Sequence, residues 1–452
     1  MFGCGTYGRR VCDLAMFGLV TVLTIATPAD AQQPAAQHQH TQMNMDENLW
    51  QFMQDGVVIA EFNHQGGPRG GDEFIVPNWW MGMATRNSSR GRLTFSGMLS
   101  LEPLTVGKDG YRELFQAGEA LNGRPLIDRQ HPHDFFMQLA AIWRMPLGES
   151  TGLTLAGAPA GEPALGPVAF MHRLSAADNP TAPLGHHTFD STHIAFGVVT
   201  AAVDHGPWVL EGSLFNGREP DEDRWDFDFG PLDSYSGRVW FRPTEAWEIQ
   251  ASAGHLKSPE ELEPGNVTRS TASLGWMRKH DMDFSAVTIG FGRNDTNHGE
   301  RNAFFAEGAK HFGMTGVYGR FEAVQTETFV LATGEVPEHV STGITLPVTC
   351  PSVVHCVGPV PPPDQRDTVL AFTVGGIRDV IKVRGFEGGF GADVTFHAPP
   401  DSLRPAYGNH PVSFRVFFRL RPPAGEMGRM WNMRMSQPMQ GHAATTMHHP
   451  MP

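Results

Sequence analysis

The chain has 452 residues, 40% hydrophobic and 18% charged, with 51 glycines and 35 prolines, a length that suits one large barrel or two to three soluble domains. Lys plus Arg number 34 against 48 Asp plus Glu, and the resulting charge of −14 argues against nucleic acid as a partner. Beyond the N-terminal apolar run no stretch suits a helical membrane span. A mean hydropathy of −0.27 still permits crossing by strands, whose lipid contact hides in alternation.

Arg9 and Arg10 precede an apolar run from Leu14 to Ile25, and Ala29-Asp30-Ala31 is a small-x-small cleavage site. Residues 1–31 therefore read as a signal peptide, and Gln32 as the mature start. Residues 32–49 form a polar tail carrying His38, His40, Met43 and Met45, with the composition of disorder.

Alternating segments begin at Val57–His64 and continue through Phe74–Thr85, Arg92–Leu104, Phe135–Arg144 and Thr151–Gly157, with long excursions to Asp134 and to Thr192. Tight connections then fall at Asp204-His205-Gly206, Arg242–Glu245, Lys279-His280-Asp281, His311-Phe312-Gly313 and Arg378-Asp379. Longer ones fall between them, at 217–234, 257–266, 293–301, 333–366 and 398–410. The last two strands are the clearest. Phe386, Gly388, Phe390, Ala392, Val394 and Phe396 alternate with Glu387, Asp393 and His397, and Val412, Phe414, Val416, Phe418 and Leu420 alternate with Arg415, Arg419 and Arg421.

Residues 50–422 on this count form an all-β, single up-and-down antiparallel transmembrane β-barrel of about 16 strands, within a range of about 12–18. An even count places both chain ends on the side of the short turns, and a barrel of this size encloses water. The segment resembles a Gram-negative outer-membrane β-barrel of the porin-like type, without pointing to a narrower family. That resemblance implies a bacterial outer-membrane location, contact with lipid and lipopolysaccharide, passage of small solutes or metal ions, and assembly as a homo-trimer. Porin-like barrels finish on an aromatic residue; here Phe418 is followed by Leu420 and a tail, residues 423–452, rich in Met and His and expected to be disordered.

Four groups of residues carry chemistry. His131 and His133, two apart beside Asp134, are joined by His172, His186, His187, Asp190 and His193 of the next excursion; meeting loops would make a zinc or copper site. The alternative is that they satisfy turn backbone at the barrel mouth. In the C-terminal tail, Met427, Met430, Met433, Met435, Met439 and Met447, with His442, His448 and His449, offer thioether and imidazole ligands suited to Cu(I) or Ag(I). Glu219, Asp221, Glu222, Asp223, Asp226, Asp228 and Asp233 around Trp225 read as a solvated external face. Arg238, Arg242, Glu387, Asp393, Arg415 and Arg419 are expected to line a pore.

Cys350 and Cys356, close together in a Pro-rich loop of an exported chain, read as a disulfide. No GxSxG elbow, Walker loop or HExxH is present, so no residue is assigned to catalysis. The expected function is an outer-membrane porin-like channel for small solutes, tied to copper or silver through its Met/His tails, with no cofactor required. The alternatives are a metal-dependent hydrolase built on the loop histidines, or a plugged structural or adhesive barrel.

Overall fold

The structure, a computed structural model, describes residues 49–280, 283–336, 361–424 and 429–436. The barrel unit starts at Trp50. Sixteen antiparallel strands close into a single up-and-down barrel. They are β1 (Trp50–Gln65), β2 in two pieces (Gly71–Ile75 and Asn78–Ser88), β3 (Gly91–Leu99), β4 (Phe136–Pro146), β5 (Thr151–Gly161), β6 (Ala195–His205), β7 (Trp208–Phe215) and β8 (Ser234–Thr244). The second half is β9 (Trp247–Leu256), β10 (Val267–His280), β11 (Asp283–Thr296), β12 (Gly299–Phe312), β13 (Thr315–Glu327), β14 (Arg366–Val383), β15 (Phe386–Ala398) and β16 (Val412–Arg421).

Closure is made by Val58–His64 pairing with Leu420–Phe414, so the first and last strands form the seam. Strand β2 breaks at Val76-Pro77 because proline has no N–H to give the ladder. The carbonyl of Pro77 still accepts from the Ile59 amide at 2.9 Å, which keeps the broken strand on β1.

Period-two alternation puts apolar side chains outside. Leu155, Val199, Leu210, Leu214, Ile249 and Val416 are exposed along strand centres, the face that lipid covers in a membrane-spanning barrel. Exposed Trp50, Trp143, Trp208, Trp247 and Phe312 gather near the tight-turn end as an aromatic girdle, and the amphipathic indole rings suit an interface. Trp208 packs on Phe241 with centroids 4.3 Å apart. Among the described residues no helix is long and apolar enough to cross a membrane.

Several boundaries differ from the sequence expectation. Strand β3 stops at Leu99, and Glu102–Thr105 is a short helix led by Pro103. The turn expected at Arg378-Asp379 lies inside β14. A register shift between Asp379 and Ile381 lets pairing with β15 continue to Val383, and Arg384 and Gly385, both at positive φ, make the turn. The long loop expected at 293–301 is only Asn297-His298: the ladder continues with Arg293 opposite Asn302 and Asp295 opposite Glu300, and Arg293 pairs with Asp295 on its own strand and diagonally with Glu300. Short and long connections therefore fail to alternate at that one point.

The largest difference is inside. The excursions between β3 and β4 and between β5 and β6 fold into the barrel instead of standing outside it. Leu114 and Phe115 of the first, with Leu184 and Phe189 of the second, share one core with Phe305, Val324, Val369 and Tyr407. Arg429–Ser436, expected to hang free, also enters the barrel: Met430, Met433 and Met435 are buried. Arg429 meets Asp55 at 2.9 Å and Glu387 at 2.5 Å, and Arg434 meets Glu248 at 3.1 Å while its guanidinium lies 3.6 Å over the Trp240 ring.

Candidate metal centre

The inward charges pair with these interior segments. Arg415 lies between Glu61 (3.3 Å), Asp393 (3.4 Å) and Glu113 of the first excursion, and Arg419 joins Asp178 of the second excursion to Asp379. Arg320 bonds Glu307 at 3.0 Å, and the same carboxylate takes Arg173 at 2.7 Å. Arg238 holds Glu211 at 2.5 Å and Glu162 at 2.8 Å, and Arg242 holds Glu248 at 3.0 Å. The expected pore-lining residues Arg238, Arg242, Glu387, Asp393, Arg415 and Arg419 thus face inward as their alternation requires. What they meet there is protein rather than a water-filled pore. An inward guanidinium left in a narrowing lumen needs a carboxylate partner, and the folded-in segments supply many of them.

These ion pairs bring the two excursions together, and with them five histidines. His131 and His133 sit in the extended stretch after Arg129-Gln130, which pairs with Tyr111-Arg112. Pro132 between them keeps that stretch out of the helical region. Glu102, on the helix that ended β3, accepts from the His133 amide at 2.9 Å and faces its Nδ1 at 2.9 Å. His186 and His187 open the short helix His186–Phe189, and His193 ends the turn that follows.

Asp190 organises this second group. Its carboxylate accepts from His186 Nδ1 (2.8 Å), the Phe170 amide (3.0 Å) and Arg173 (2.9 Å), while its carbonyl faces His193 Nδ1 at 2.8 Å. His131 Nδ1 faces the Pro132 carbonyl at 3.2 Å. In the His133, His186 and His193 rings Nδ1 faces an acceptor and the buried Nε2 has no hydrogen-bond partner among the described residues, while His131 turns its Nε2 to Glu119. A ring with one nitrogen held by a carboxylate or carbonyl and the other nitrogen bare is prepared as a metal ligand.

The rings form a connected cluster. Centroids lie 5.2 Å apart for His186–His193, 5.4 Å for His133–His193, 5.5 Å for His186–His187 and 5.7 Å for His131–His187. Glu119, His131 and His187 hold ligand atoms within 4.8 Å of one another, with Glu119 Oε1 at 3.1 Å from His131 Nε2. His187, Glu219 and Glu260 form an adjoining set. Gly118, at φ +134, allows the close pass: a Cβ there would stand 2.9 Å from the His187 ring.

Burial pulls His131, His186, His187 and His193 below the ordinary imidazole range, leaving them neutral and able to bind a cation. Burial acts on His133 in the same direction, but the charge of Glu102 and its bond outweigh it and hold the ring above that range. Glu219 is pushed up to about 8 by burial and by Glu119, and Glu260 well up by burial and by Glu219, so a cation between them would relieve both.

Of the residues expected at the site, His131, His133, His186, His187 and His193 are gathered, and Asp190 orients His186 and His193. Asp134 sits aside, bonded to Arg224 at 3.4 Å, and burial pushes it up to about 7. His172 lies apart, edge-on to Trp79 at 5.3 Å. Met427, Met439, His442, Met447, His448 and His449 lie outside the described residues, as do Cys350 and Cys356. Glu102, Glu119, Glu219 and Glu260 were not expected. Glu219 had been read as part of a solvated acidic loop, yet that loop turns in: Arg224 bonds Glu119 at 2.8 Å and Phe227 stacks on Phe136 at 4.5 Å. Asp221, Asp226 and Asp228 remain an acidic group on its outer side.

No protein-family model and no curated protein matches the chain. Among solved structures the barrel is similar to an anion-selective porin from Comamonas acidovorans, at 9% identity and a TM-score of 0.47, covering 83% of this chain and 100% of that one. It is similar also to a loop-deletion mutant of OmpT, an outer membrane protein of Vibrio cholerae, at 9% identity and 0.45, again covering 83% and 100%. Salmonella typhi OmpF matches at 6% and 0.43, covering 83% and 98%.

Proposed function

We propose that the chain is an outer-membrane channel of the porin-like kind whose interior segments hold a borderline transition-metal cation, zinc or copper, on the way through. The carrying observation is the set of buried imidazoles with Nδ1 bonded and Nε2 bare, next to the grouping of Glu119, His131 and His187. Nitrogen and carboxylate ligands of this kind suit zinc and Cu(II). Passage then requires the folded-in segments to shift, since they fill the lumen in this arrangement.

The reading is tested on the refolded chain from Gln32, titrated with Co(II) as a spectroscopic stand-in for zinc and recorded in planar bilayers with and without Zn(II). Tetrahedral Co(II) bands that vanish in a His131→Ala/His187→Ala variant, with conductance that responds to Zn(II), are expected. No Co(II) bands, or bands unchanged in the variant, would sink the metal part. Absence of any conductance step after verified insertion would sink the channel part.

A further inference from the structure

The inward faces of β1 to β4 differ from the rest of the wall. Met53, Met81, Met83, Met98 and Met137 belong to one cluster there, and Met81, Met83, Met98 and Met137 are each at most 3% exposed. Two contacts are in direct register: Met53 stands opposite Met83, and Met81 opposite Met98. Cross-strand partners on one face hold their Cβ atoms about 4.5–5.5 Å apart, close enough for flexible thioethers to reach a common point. From the interior, Met430 and Met433 of the C-terminal segment and Met171 of the second excursion complete the cluster.

Packing alone does not call for this composition. The same strands use Phe95, Trp143 and Trp80 outside, and apolar interiors are better specified by branched aliphatic residues with defined rotamers. A second, independent observation points to a ligand. His172 is edge-on to Trp79, which packs against the cluster, and its buried Nδ1 has no hydrogen-bond partner among the described residues. The C-terminal segment is fixed over this place: the Asn432 amide donates to the His172 carbonyl at 2.7 Å, and the Met430 amide to Asp55 at 3.0 Å.

We propose that this cluster is a thioether site for a soft monovalent cation, Cu(I) or Ag(I), with Met81, Met83 and Met98 from the wall, Met430 and Met433 from the C-terminal segment, and the His172 imidazole as nitrogen ligand. Sulfur ligands select such ions over zinc, calcium or magnesium, and a neutral ligand set suits a single positive charge. It is a site separate from the imidazole cluster, and it rests on the metal-transport reading only for the origin of the cation.

The whole chain, labelled with [13C-methyl]methionine and [15N]histidine, is unfolded and refolded in detergent with increasing Ag(I), a diamagnetic probe that needs no reductant. Refolding in its presence removes any question of access. The wall methyl resonances, assigned through single Met→Leu exchanges, are expected to shift within the first equivalents, and Met81→Leu/Met83→Leu to weaken that step at least tenfold. The 15N signal of His172 moves with them, which gives a readout if the double variant does not fold. Shifts confined to Met314 and the terminal methionines, with wall methyls unmoved, would overturn the proposal. A parallel Zn(II) titration reads the imidazole cluster alone, so failure of either site is seen separately.

Discussion

Two sectors of one interior wall solve the same problem in opposite ways. Around β12 to β16 the inward positions carry Glu307, Arg320, Asp393, Arg415 and Arg419, each matched to an opposite charge. Around β1 to β4 the same alternation carries Met53, Met81, Met83, Met98 and Met137, with Asp55 and Glu61 as charged positions on β1. The charged sector is fixed by direction and stoichiometry, since each guanidinium has chosen carboxylates. The methionine cluster itself is soft, neutral and tolerant of shape. A wall that needed only to be filled would not change chemistry so sharply between neighbouring strands.

Substitution separates the sectors most strongly. Arg415→Met leaves Glu61, Glu113 and Asp393 buried without their cation, and a loss of about 3–5 kcal/mol is expected in urea unfolding followed by tryptophan fluorescence. A loss below about 1 kcal/mol would mean that water reaches these groups and that the interior is not packed as described. Next comes Asp190→Ala, which removes the acceptor that orients His186. Removing such a partner usually weakens metal binding about 10–100-fold, and competition with a zinc chelator measures it. Unchanged affinity would leave the bonded Nδ1 atoms with a structural role only.

The response to pH is expected to be smaller and to have a maximum. His172 is held down at about 4 by burial, so an opened segment binds more protons than the closed one between that value and 6.5. Closure contributed by His172 is full above 6.5 and is lost as pH falls toward 4, and His131, His186, His187 and His193, also lowered by burial, act in the same sense. Glu219, held up at about 8, acts in the other sense: its contribution is full below 4.5 and fades as pH rises through 8. Hydrogen exchange of the segment around His186–Phe189 should therefore be slowest between these limits. A monotonic profile would contradict the burial of one group or the other. The smallest effect is expected from Met83→Leu, a volume-conserving exchange that should cost below about 1.5 kcal/mol in the same unfolding experiment. A cost matching that of Arg415→Met would show the two sectors to be equally rigid.

Much of the wall was legible because alternation with a charged face leaves little choice: Arg415 and Arg419 in β16 could only face inward once Phe414 and Val416 faced out. The ends of strands were less so. A strand can continue past charged residues, as β11 and β12 do through Arg293 and Glu300, when the charges pair across the ladder. The inward course of the excursions could not be read locally, because it is decided by the partners of wall arginines far away in sequence, such as Asp178 for Arg419. The histidines were legible as residues, and their meeting was not. Met81-Gly82-Met83 stood in plain alternation within a strand. Its signal was masked because methionine in a strand ordinarily reads as filling.

The position of Arg429–Ser436 has a consequence for how the molecule is made. The seam between β1 and β16 must close in lipid, where unpaired backbone is not tolerated, whereas the residues that follow β16 bury two arginines in a space first occupied by water. Wall and filling thus meet two different solvents, and the last described piece of chain lies inside the wall. Conditions that tune the bilayer should act on the first process, and solutes that enter the lumen on the second.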